Sequence, residues 1–120
     1  MAKWAADAGM DAALDYFCDA DRHVLCSAQP SNYAGLATNK LGETPFSAAA
    51  AVDGTTSGRK RVVAAKSGVA VTTGGVATHL AHGKAADSTL RYVTTTPSQA
   101  VSGGGTYDTS AYAIEIADPS

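Results

Sequence analysis

Large apolar side chains are scarce in this chain. It has one tryptophan, two phenylalanines and a modest number of leucines and valines, and alanine supplies most of its apolar fraction. Alanine buries little area, and buried apolar area drives folding at roughly 25 cal/mol per Å². So thin a core predicts a domain that gains stability by docking on copies of itself or on a larger body. No apolar run is long enough to span a membrane. The opening string "MAKWAADAGMDAALDYF" is acidic and broken by charges, unlike a secretory signal, which leads us to expect synthesis and folding in a reducing cytosol. There is no basic excess either. The formal net charge is −2, against general nucleic-acid binding.

Two cysteines, Cys18 and Cys26, match neither a C-x-x-C redox motif nor a zinc set. They read as small buried thiols, or as a candidate disulfide within or between subunits. Groups for catalysis are equally sparse. No serine sits in a G-x-S-x-G context, and there are only two glutamates. "TSGRKR" lacks the ending of a phosphate-binding loop, and "SGGGT" does not lead from a strand into a helix. The expectation is a protein that is not an enzyme and has no cofactor or metal.

What is present has a readable order. All 120 residues fit one domain. Residues 3–17 have helical spacing, and Asp7, Asp11, Asp15 and Asp19 recur every fourth position along one face. From about residue 23 to 117 the pattern is that of strands and turns. "HVLCSA" alternates, with Val24 and Cys26 opposite His23 and Leu25. "QPSNYAGLATNKLGETP" reads as an extended surface loop pinned by Tyr33, Leu36 and Leu41. "FSAAAAV" and "RKRVVAA" read as strands around the turn "DGTTSG", followed by "GVAVTT", "GVATHLAH" and "TLRYVTTT". "PSQAVSGGGTYDTS" reads as a flexible connection with a short strand near Ala100, and "AYAIEIA" as the closing strand. The predicted fold is mainly β: an antiparallel β-sandwich or barrel of about six to seven short strands with one N-terminal α-helix.

"GVATHLAHGKAADSTLRYVTT" concentrates histidines. Strand alternation puts His79 and His82 on opposite faces, so the segment reads as two arms of a hairpin rather than a metal site. Arg59, Lys60 and Arg61 form a basic cluster, with Arg59 and Arg61 on one face. That cluster suits either a charged edge strand or a dock for an acidic surface. The helix stripe has the opposite sign, which suggests head-to-tail contacts between copies. The candidate partner-binding residues are therefore Trp4, Phe17 and Tyr33 as apolar anchors and Asp7, Asp11, Arg59 and Arg61 as polar contacts.

The strings "MAKWAAD", "CSAQPSNYAGLAT", "DGTTSGRK", "GVATHLA", "LRYVTTTPSQAVSGGGT" and "YAIEIADPS" together resemble a family of small virion structural proteins of tailed bacteriophages, over nearly the whole chain. The resemblance implies a virion component made in the bacterial host cytoplasm. Its size and β character suit a capsid decoration, or cement, protein that binds the major capsid protein and neighbouring copies of itself. A neck or tail component and a virion-surface module for a host receptor are the alternatives. Neither a membrane nor nucleic acid is implied as partner.

Overall fold

A computed structural model describes residues 6–117. Helix α1 (Asp7–Cys18) opens the chain, followed by β1 (Arg22–Cys26), α2 (Tyr33–Asn39) and β2 (Lys40–Pro45). Then come β3 (Val52–Asp53), β4 (Arg59–Val63), β5 (Lys66–Ala70), β6 (Gly75–Lys84), β7 (Thr89–Val101), β8 (Thr106–Thr109) and β9 (Tyr112–Ile116).

Met10, Leu14 and Cys18 lie four residues apart and form the buried stripe of α1. Asp7 sits in its first turn, where the helix dipole favours a negative charge. The second helix replaces the surface loop expected at that place. Asn32 starts it, its side-chain oxygen accepting from the Gly35 amide at 2.9 Å, and Leu36 is fully buried beneath it. Two turns are too few for a helical period to stand out.

The strands form three antiparallel sheets: sheet A in the order β2-β1-β6-β7, sheet B as β3-β4-β9 and sheet C as β5-β8. An isolated bridge from Gly42 to Val71 links the sheet A and sheet C sides, and another pairs Ala48 with Val63 of β4 in sheet B. Among the described residues the result is an open, sandwich-like arrangement of nine strands, not a closed barrel. The higher count has identifiable sources. The alanine run after Phe46 pairs only at Ala48 before the two-residue β3, because small side chains offer little to hold a ladder. β5 begins at Lys66, earlier than "GVAVTT" suggested, and β8 forms within the segment read as a flexible connection. β7 runs on past Thr96 to Val101, with extra residues around Pro97 where its register against β6 shifts. A bulge on an edge strand is where proline is tolerated.

Sheet A is covered on both faces. α2 caps one face, its Leu36 packing with Val24, Cys26 and Ala81. On the other, Leu25, Leu41, Ala77 and Leu80 meet Val69, Val71 and Tyr107 of the sheet C side. A third cluster, Leu14, Cys18, Val63 and Ile114, lies between α1 and sheet B. The scarcity of large side chains thus yields three small cores in a body of 54 × 27 × 21 Å. Between the second and third cores lies a polar junction.

Candidate functional site

His23 on β1 and His82 on β6 are direct cross-strand partners, so both point from sheet A toward sheet B. They share that face with Leu25 and Leu80 and are 1% and 0% exposed. Tyr112, at the start of β9, brings its hydroxyl between them, 3.0 Å from His23 Nε2 and 2.6 Å from His82 Nε2. The second nitrogen of His82, Nδ1, lies 3.0 Å from the carbonyl oxygen of Phe17 in the last turn of α1. Phe46 packs on the His82 ring with centroids 4.3 Å apart, and Tyr92, its cross-strand neighbour on β7, at 5.2 Å. Sheet A, sheet B and α1 therefore meet at one tyrosine and two imidazoles.

The partners fix the proton order. A carbonyl only accepts, so His82 Nδ1 carries a hydrogen and donates to Phe17. In the neutral ring His82 Nε2 then has a lone pair and accepts from the Tyr112 hydroxyl. The single hydroxyl hydrogen of Tyr112 is thereby used, and its oxygen accepts from His23 Nε2–H. That leaves His23 Nδ1 as a bare acceptor, buried and without a partner among the described residues. Burial pushes both imidazoles down to about 4, with His82 and Lys66 adding positive field at His23 and the Phe17 carbonyl partly opposing the shift at His82. Burial likewise raises the Tyr112 phenol above its ordinary range, with smaller contributions from Tyr92 and Cys18. All three groups are neutral at pH 7. The arrangement holds layers together and can accept a proton; both imidazoles are sealed from solvent, and Tyr112 is half-buried.

The charged residues form a second network. Arg59 Nε contacts Asp11 at 2.8 Å, and Arg61 contacts Asp15 at 3.2 Å. Lys84 contacts Asp19 at 2.5 Å. The acidic stripe of α1 thus lies along the basic strand β4 of its own chain. The complementarity that suggested contact between copies is used within one molecule. Asp7 remains exposed in the first turn of α1. Phe17 is half-buried, 5.6 Å from the Tyr92 ring. Tyr33 is half-buried on α2, and its hydroxyl accepts from Arg22 Nη1 at 2.9 Å beside the bidentate Arg22–Glu43 pair. Trp4 lies outside the described residues.

Cys18 and Cys26 are free, buried thiols. Cys18 belongs to the α1–sheet B core and Cys26 to the α2 core, on the far face of sheet A. Burial is the main cause raising both thiols, Cys26 to about 11. His79 takes the face opposite His82, half-exposed and hydrogen-bonded to Thr78. Among the described residues, no group of three or more His, Cys, Asp or Glu could hold a metal ion, and no helix is long and apolar enough to cross a membrane. A cleft of about 280 Å³ opens beside Tyr112, between Leu80 and Thr94 of sheet A and the turn from Asp108 to Ala111.

The junction escaped the reading of the sequence because its members are 59 and 30 residues apart. One signal was present: His23 and His82 each share strand parity with a leucine, which marks an inward face. No family model, curated protein or solved structure matches the chain.

Proposed function

We propose that this protein is a non-enzymatic bacteriophage virion structural protein, acting as a capsid decoration protein that binds the outside of an assembled head. The reading starts from the resemblance of its strings. The observation that carries it is that the side chains with reactive chemistry serve as internal struts. His23, His82 and Cys26 are almost wholly buried, and the imidazoles tie three layers together. Such a body acts through its outer shape. That shape is elongated, and one edge is open: β7 ends sheet A, and its outer half around Thr95–Ala100 is largely exposed, whereas β2 at the opposite edge is bridged to Val71. An open edge next to exposed Val76 offers backbone and apolar contacts to a lattice neighbour. Contacts spanning subunit boundaries stabilise the lattice over free subunits, and many weak copies add by multivalency. The major capsid protein is then the partner, alongside neighbouring copies.

The test is to mix purified protein with head shells lacking it, and separately with unassembled major capsid protein. The expected result is co-sedimentation with shells at a copy number matching the capsid lattice, and no complex with free subunits. Occupancy of a single ring at one vertex would replace this reading with the neck or tail alternative. Absence from shells and particles would end it.

A further inference from the structure

The interior junction does more than fill space, because its hydrogen bonds run in one direction and end on an unused acceptor. His23 Nε2–H donates to Tyr112, Tyr112 donates to His82, and His82 donates to Phe17 at the end of α1. His23 Nδ1 can take up a proton without breaking any of these bonds. The product is a buried imidazolium whose new N–H has no acceptor among the described residues. Of the groups facing the pair, Lys66 from β5 is cationic; Cys18 from α1, Tyr92 from β7 and Tyr112 from β9 are neutral; and the second imidazole lies with its centroid 5.8 Å away. None of them supplies a negative charge at mildly acidic pH.

We propose that the His23–Tyr112–His82 chain is an acid-triggered latch, in which proton uptake unfastens α1 and β9 from sheet A. Opening on this side lets water reach the cation and gives its N–H a partner. The far face of sheet A has no reason to open with it. There Leu36 holds α2 against Val24, Cys26 and Ala81, and the Tyr33 hydroxyl accepts from Arg22, whose pair with Glu43 stays ionised in mild acid because Arg22 holds the Glu43 carboxyl below its usual range. Local opening ahead of global unfolding is expected where one region carries the titrating groups. The latch goes beyond the virion reading and does not depend on it.

The two buried thiols report the two faces. Cys18, next to Phe17 at the end of α1, lies in a cluster bordered by Tyr92 of sheet A and would be uncovered on that side, whereas Cys26 lies in the core that would stay closed. The experiment uses the full chain in two single-cysteine forms, Cys26→Ala and Cys18→Ala. Each is labelled with a neutral aromatic disulfide that reacts with thiols in acid, and rates are normalised to the urea-unfolded chain at each pH. Between about pH 7 and pH 4.5, Cys18 should become roughly tenfold or more faster to label while Cys26 remains protected. His23→Gln keeps a donor for Tyr112 but cannot take the proton, and should hold Cys18 protected to lower pH. Nitrogen-detected NMR of the wild-type histidines covers the case in which that variant does not fold. It should find His23 protonated at Nε2 and His82 at Nδ1 near neutrality. Equal exposure of both thiols, protection of Cys18 throughout, an unchanged response in His23→Gln, or the opposite tautomers would each overturn the latch.

Discussion

Tyr107 and Tyr112 show how much a single hydroxyl depends on its surroundings. Tyr107 is only 4% exposed, and Tyr112 is half-buried. The Tyr112 hydroxyl serves two imidazoles, whereas that of Tyr107 is buried with no partner among the described residues. An unpaired buried polar group costs about 1–3 kcal/mol, so its removal is a gain if the ring stays in place. The ring is held tightly: a Cβ at Gly42 would lie 2.6 Å from Tyr107 Cε1 and 2.8 Å from the Ala70 carbonyl oxygen. Tyr107→Phe should therefore leave stability unchanged or raise it by about 1 kcal/mol, read from the urea midpoint. A clear loss would mean that the hydroxyl is satisfied after all. Alternation in "AYAIEIA" places Tyr112 on the face of Ile114 and Ile116, and that much was legible in the sequence. That its hydroxyl would meet two histidines was not, because nothing local encodes which strands pack across the sandwich.

At the scale of elements, α1 is attached by its apolar stripe more than by its charges. Leu14 is fully buried against Val63 and Ile114, while the Asp15 carboxylate paired with Arg61 is largely solvent-exposed. Exposed ion pairs contribute little, because solvent screens them and two long side chains must be held in place. Leu14→Ala should cost about 2–5 kcal/mol. Asp15→Asn should change the midpoint only slightly. Circular dichroism during urea unfolding of both variants checks this, and a larger loss for Asp15→Asn would reverse the order of importance. The elements also divide by legibility. α1, β1, β6 and β9 have periods long enough to read. α2 is two turns held by one cap and one leucine, and β8 is four residues beside a glycine run. Those depend on the sheet face or strand they meet, a contact no local window contains.

For the whole molecule the strongest expectation concerns acid. Both histidines have folded values of about 4 against an ordinary 6.5. Below pH 6.5 the unfolded chain binds protons that the folded chain refuses, so stability is complete above that value and is lost as the pH falls toward 4. The loss is about 3 kcal/mol per histidine across that window. It precedes the loss from paired carboxylates such as Glu43, whose values are lowered by Arg22 and which act in stronger acid. Urea midpoints measured from about pH 7.5 to pH 4 should fall steadily through this window. A flat profile down to pH 4 would mean that the imidazoles are hydrated or paired with an anion.

Composition and alternation by themselves determined that this chain would be mainly β, carry an N-terminal helix, have few large apolar side chains for its core and turn His79 and His82 to opposite faces. These follow from side-chain area and from the two-residue period of a strand, both local properties. Only the tertiary structure decided that nine strands would form three small sheets, that the acidic helix would meet its own basic strand, and that two histidines 59 residues apart would share one tyrosine. Those outcomes depend on register and on which faces meet across the sandwich, which are set by the joint packing of distant segments.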